Sequence, residues 1–340
     1  MALEIRKESI NRFIFSITLS AVFLFVFFIF SLSVGTSMIP YSVVLYCLLK
    51  IECSKLTELL ISYRFTRSTT AMLTGALLAI SGTLMQSIAR NPLAEPYILG
   101  LSSTALTALA LTIVVNPTVI ASRSLSMIIT FLGALGGYFL TSTLSLLAGG
   151  TSYSLILSGI AVTATFSGFS HILLYIVQSK LRSPYHLLLM GTSATALTQD
   201  IYILLGILSI GLIVIYVLGL PKKLNAYVFG DTFAKQLGYN PKKLSLTTAT
   251  LVSILTGSSV AVVGIVGFIG LAAPHIVGSS DHRVTIILSA ILGATITVLA
   301  DVGARVLAIL TAQGEFPLGS VTSVIGAPFL AYLIIKGVKR

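Results

Sequence analysis

The 340-residue chain is 56% hydrophobic and only 9% charged, with a mean hydropathy of +1.02. So few polar side chains cannot coat a soluble globule of that size, which excludes a water-soluble enzyme or binding domain and leaves a polytopic membrane protein. The formal net charge of +11 carries no implication of nucleic acid, because basic residues in the loops of such a protein chiefly set its orientation.

Arg6, Lys7 and Arg12 precede an uncharged run over 13–34. That run is too long for the apolar core of a signal peptide, so it reads as a retained first span with the N-terminus in the cytoplasm. Residues 40–63 read as an external segment of mixed polarity. They hold both cysteines, Cys47 and Cys53, which have no metal-ligand spacing. Either a small disulfide or two unpaired thiols fits the pattern, and the unpaired reading is preferred.

Runs near the roughly 20 residues that a helical span requires follow at 69–88, 97–115, 125–148, 155–177 and 201–220. After a polar interruption come 245–263, a short glycine-rich 264–277, 284–300 and 320–335, and the tail Lys336, Lys339 and Arg340 returns to the cytoplasm. The expected fold is all-α, a single transmembrane domain over 1–340 with about ten membrane helices. Loops assigned alternately place more basic residues on the N-terminal side than on the other, the right sign for a cytoplasmic N-terminus but a shallow bias.

The polar interruption, 221–244, carries Lys222, Lys223, Lys235, Lys242 and Lys243, five of the 21 basic residues. Asp231 is followed by Phe233, Ala234 and Leu237 at helical spacing, with Asp231 as the expected cap and Gly238 and Asn240-Pro241 as the expected stop. A short helix here serves either as a cytoplasmic platform for a partner or as a helix resting on lipid headgroups.

Thr74-Gly75, Ala79, Gly82 and Pro92 recur as Thr256-Gly257, Ala261, Gly264 and Pro274. Opposite directions for the two copies would make this an inverted repeat, a construction that many transporters use. Two segments break the apolar pattern with proline: 91–100, which holds Glu95, and 267–275. The small residues within the spans permit close helix packing. The four histidines form no HExxH pair, and no Walker A loop occurs, so neither zinc protease nor ATPase chemistry resides in this chain.

Six motifs in order resemble the FecCD-type permeases: Arg64-x-x-Arg67; Gln86-x4-Asn91-Pro92-Leu93-Ala94-x-Pro96; Gly267-Phe268-Ile269-Gly270-Leu271-x-x-Pro274-His275; Asp281-His282-Arg283; Ala300-Asp301-x-x-Ala304-Arg305; and Pro317-x-Gly319-x-Val321-Thr322-x-x-Ile325-Gly326-Ala327-Pro328-Phe329. The resemblance implies a transport subunit, not an enzyme, of an ABC importer for a ferric siderophore, haem or cobalamin. The implied assembly is a homodimer in the cell membrane, with two cytoplasmic ATPase subunits that bind ATP and Mg and an external substrate-binding protein. No cofactor or metal is implied in this chain, and no nucleic acid.

Within that resemblance, Gly230, Asp231, Phe233, Ala234, Leu237 and Gly238 match the ATPase-coupling segment. Arg64, Arg67 and Arg305 match external arginines that meet acids of the binding protein, and arginine's planar fork suits carboxylates. Thr151, Ser152 and Tyr153 fall near the cytoplasmic gate. The alternative is an ion-coupled secondary transporter, which would bury carboxylates along its path. Glu95, Asp200, Asp231, Asp281, Asp301 and Glu315 all read as lying at or near span ends, which favours the importer.

Overall fold

The computed structural model describes residues 2–35, 37–51, 53–181, 187–312 and 316–338. Glu315, Lys339 and Arg340 lie outside the described residues, as does the side chain of Ser152. In chain order the helices are α1 (Ala2–Ser33), α2 (Tyr41–Leu48), α3 (Lys55–Ala89), α4 (Leu101–Val115), α5 (Arg123–Leu147), α6 (Ser152–Leu181) and α7 (Leu187–Met190). They continue with α8 (Thr198–Val217), α9 (Leu220–Tyr227), α10 (Asp231–Gln236), α11 (Pro241–Val263), α12 (Ile269–Val277), α13 (His282–Thr311) and α14 (Leu318–Val338). No strand occurs among the described residues.

Each expected span coincides with a helix. Seven helices are long and apolar enough to cross a membrane, namely α1, α3, α5, α6, α8, α11 and α13, while α4 and α14 contain shorter apolar stretches. The nine residues of α12 reach only about 14 Å at 1.5 Å per residue, less than half a bilayer core. Gly264 (φ +83°) and Phe268 (φ +68°) separate α12 from α11, so the glycine-rich run folds as a half-helix.

The segment 40–63 differs from its expectation. Ser54 accepts a hydrogen bond from the Thr57 N–H at 3.3 Å and starts α3 fourteen residues before the apolar run does. Lys50 turns the chain left-handed after α2 (φ +55°), which brings the Cα atoms of Cys47 and Cys53 to 4.9 Å, and the two cysteines are bridged. The unpaired reading is thereby corrected. Spacing alone could not show the turn that closes the pair.

The bundle is built on α3, which packs against α11, α12 and α13 and whose apolar stretch is almost wholly buried. Outside that centre, α4 contacts α5, α6 and α11, and α1 packs on α13. Arg90, just past α3, and Pro241, opening α11, both lie at the platform, so these two helices run in opposite directions, as the internal echo requires.

Small residues set the spacing. A methyl group on Gly82 would overlap the Gly270 carbonyl of α12, and one on Gly75 would overlap Gly293 and Thr297 of α13. By contrast, Gly136 of α5 has nothing within 4 Å of the same position. Gly82→Ala is therefore expected to lower the thermal stability of the purified protein by about 1–3 kcal/mol, the usual cost of overpacking, while Gly136→Ala leaves it unchanged or raises it slightly. Equal melting temperatures for the two variants would refute this packing assignment.

Candidate functional site

Two polar centres lie at opposite ends of α3. At the end away from the platform, the Asp301 carboxylate of α13 is fully buried between two arginines. Arg67 Nε donates to Asp301 Oδ1 at 2.9 Å, and Arg305 pairs with Oδ2 at 2.8 Å. Ser193 donates to Oδ1 at 2.6 Å, which ties in the chain after α7.

Arg305 also donates to the carbonyls of Ser31 and Val34, and Arg64 donates to those of Leu32 and Ser33, at 2.7–3.0 Å. The last carbonyls of α1, which have no intrahelical donor, are thus satisfied by guanidinium groups. A second pair, Arg123 with buried Asp200 at 3.1 Å, joins the starts of α5 and α8. Asp200 in turn accepts the Leu197 N–H at 2.8 Å.

Arg64, Arg67 and Arg305 are therefore together, but only 4%, 2% and 6% exposed. The expectation that they meet acids of an external protein is thus not carried by exposed guanidinium groups in this chain. Their donors are directed inward at Asp301 and at helix-end carbonyls, since a buried guanidinium must be satisfied inside the fold. Asp301 itself lies well inside α13, not at a span end as its sequence position suggested.

At the platform, α9 and α10 precede the start of α11. Gly230 (φ +116°) occupies the cap position of α10, so Asp231 is the first helical residue and does not cap it. Its carboxylate pairs instead with Arg90, the left-handed residue (φ +49°) that ends α3. Arg90 also donates to the Tyr227 carbonyl at 2.9 Å and lies 4.1 Å from the centre of the Tyr227 ring. Gly238 (φ +81°) ends α10, and Asn240 caps α11 through the Lys243 N–H. Ala234 is buried, while Phe229, Phe233 and Leu237 are exposed, with the two phenylalanine rings edge to face.

The Asp281-His282-Arg283 motif forms a joint with the platform. Asn225 of α9 donates to Asp281 at 2.9 Å and accepts the His282 N–H at 2.9 Å, while the His282 ring meets Ser87 of α3. Burial opposes ionisation of Asp281. The hydrogen bonds from Asn225 and the Arg283 N–H, with the charges of Arg283 and His282, nevertheless hold its carboxyl below the usual range.

Between the two ends, buried Glu95 accepts the Phe268 and Leu271 N–H groups, both at 3.1 Å, at the start of α12. It neutralises donors that the broken helix leaves free, where a negative charge also suits the helix dipole. Beside it, Tyr97, Met190, Gly267, Gly319, Ser320 and Ser323 line a cavity of about 340 Å³. Its walls carry hydroxyls but no charged side chain. Of the expected gate residues, Thr151 accepts the Ser154 N–H at 3.0 Å as a helix cap, and Tyr153 is exposed.

The sequence by itself does not single out Arg90, Asn225, Ser193 or the Glu95 cap. Only their partners, more than 50 positions away in each case, reveal them.

The profile of the FecCD transport family matches residues 23–336. The Fe(3+) dicitrate transport system permease protein FecC of Escherichia coli (strain K12) is 37% identical over 279 residues, covering 80% of this chain and 81% of that protein. The hemin transport system permease protein HmuU of Yersinia pestis is 35% identical over 284 residues, covering 81% and 83%. Among solved structures, a metal-chelate type ABC transporter in an inward-facing conformation matches with a TM-score of 0.74 at 26% identity, over 94% of this chain and 98% of that one.

Removing Asp301 leaves two guanidinium groups buried without their shared carboxylate, a loss of about 3–5 kcal/mol. Asp301→Ala is expected to cut the yield of folded protein and its melting temperature far more than Asp231→Ala, whose pair is half-exposed. Comparable stabilities for the two variants would remove Asp301 from its structural role.

Proposed function

The chain belongs to the FecCD transport family, and from that premise we propose that it is the permease subunit of a binding-protein-dependent ABC importer for an iron chelate, of the citrate, haem or hydroxamate kind. The observation that carries this reading is the exposed apolar patch around α10. Phe233 of α10 is 43% exposed, and Phe229 just before the helix and Leu237 just after it are 77% and 53% exposed, on a segment held to the end of α3 by Arg90. An exposed aromatic pair in the middle of an otherwise lysine-rich segment suits a protein partner better than lipid headgroups.

In this proposal the partner is a cytoplasmic ATPase that binds ATP and Mg, and its motion enters through Asp231 and Arg90 into α3. Asn225 and Asp281 carry the same motion into α13. Two copies of the chain enclose the path, with Tyr153 at its cytoplasmic mouth, and an external binding protein delivers the chelate. Its docking surface lies over the arginine centre, which sets the shape of that surface from beneath.

Orientation has two supports. The five platform lysines favour the cytoplasm, and the Cys47–Cys53 bridge, at the opposite end of α3, belongs on the oxidising side. Both support a cytoplasmic N-terminus for a chain that crosses the cell membrane.

An ion-coupled mechanism needs a carboxylate free to load and unload. Glu95 and Asp200 lie between or at the ends of spans as expected, and although both are buried, as Asp301 is, each of the three is committed to arginine or backbone N–H donors. Commitment of this kind supports the ATP-driven reading over the ion-coupled one.

Phe233→Ala with Leu237→Ala should weaken binding of the ATPase by about 30-fold or more, as loss of a central apolar anchor does, while membrane insertion persists. Gly238→Val, which forces a side chain into a left-handed backbone with open space around it, should disturb the end of α10 and reduce transport-coupled ATP turnover. Pull-down and ATPase assays of reconstituted complexes decide this, and full assembly with wild-type turnover in both variants would end the coupling assignment. For the gate, Tyr153→Cys is expected to crosslink between copies in one nucleotide state and not in another. Absence of crosslinking in every state would leave 151–153 as an ordinary helix start.

A further inference from the structure

A second cavity, about 340 Å³, opens where α8 ends and the platform begins. Its wall is apolar at Leu218, Leu220 and Leu244, of which Leu220 and Leu244 are buried, and it is completed by Lys223, Tyr239 and Lys243. The last turn of α8 exposes Tyr216, Val217 and Leu218, so hydrocarbon must reach this level. Immediately beyond, Gly219 (φ +63°) turns the chain and the lysines begin. The cavity thus sits at the depth where acyl chains give way to headgroups, with a tyrosine in the position such residues favour.

The charge there is uncompensated. Asp231, the one acidic residue of 221–244, is paired with Arg90, and neither Lys223 nor Lys243 has an ion-pair partner among the described residues. Two ammonium groups beside a small apolar cavity at a membrane surface match one chemistry, a phosphate ester that carries hydrocarbon.

We propose that this cavity binds the headgroup of an anionic phospholipid, with Lys223 and Lys243 on the phosphate and Leu218, Leu220 and Leu244 against the first acyl carbons. This rests on the reading that the platform lies at the membrane surface, and it requires neither the ATPase nor a particular cargo. The bound lipid would link the α8 end to the start of α11, steadying the platform beside the partner-facing α10. Lipid composition would then tune how firmly that segment is held.

The test uses the full-length protein in nanodiscs of phosphatidylcholine with or without phosphatidylglycerol, followed by transfer to detergent and native mass spectrometry. The wild type is expected to retain phosphatidylglycerol in preference to phosphatidylcholine. A charge-assisted hydrogen bond from lysine to a phosphate contributes about tenfold, so Lys223→Gln with Lys243→Gln should lower that preference about 100-fold. The charge-matched pair Lys222→Gln with Lys235→Gln, outside this cavity, should lower it far less. Equal loss in the two double variants would reduce the effect to general surface attraction and overturn the site, as would no loss in either. Displacement of the retained lipid by millimolar inorganic phosphate would show a soluble-anion site and likewise overturn it. ATPase pull-down with the Lys223/Lys243 variant separates this proposal from the coupling assignment. Lost ATPase binding with lipid retention unchanged would give the cavity to the ATPase, whereas lost retention with ATPase binding intact supports the lipid.

Discussion

The rest of the structure depends on one buried carboxylate. Asp301 neutralises Arg67 and Arg305, and Arg305 can then satisfy helix-end carbonyls of α1 and the hydroxyl of Ser68. Without it, two positive charges would face each other where water is excluded, an arrangement that costs several kcal/mol per ion. Four separate pieces of chain, α1, α3, α13 and the segment after α7, take their positions from this group. Hydrocarbon offers no hydrophobic force between helices, so a charge that must be satisfied is an effective way to choose partners.

The same helix that carries Arg64 and Arg67 ends at Arg90. With 35 residues, α3 spans about 50 Å, so a single rigid element joins the arginine centre to the platform. The two ends differ in strength. The pair of Arg90 with Asp231 is partly exposed and therefore weak, whereas the Asp301 centre is sealed. An interface that must move with a partner is reasonably built from the weaker kind, while the opposite end stays fixed.

Between these ends the bundle accepts irregular backbone only where it can be satisfied. The break before α12 frees N–H groups, and Glu95 accepts two of them. Pro92 and Pro96 prevent 91–100 from continuing α3, which is what brings Glu95 beside the broken helix. The proline motifs thus belong to one construction, in which one interrupted segment caps another.

Hydropathy and spacing alone determined the number and order of the spans, the place of the polar platform and the family motifs. These are local properties, fixed by lengths of chain no longer than one helix. Tertiary structure alone decided what the charges do. Three arginines against the positive-inside tendency read as an outward-facing site, yet the acid that draws Arg67 inward is 234 positions away. Asp231 reads as a cap until Arg90, 141 positions earlier, is placed beside it. Cys47 and Cys53 pair because Lys50 turns left-handed between them, which no residue count reveals. Burial of a charge is settled by the group that compensates it, and in a membrane bundle that group is supplied by a different helix.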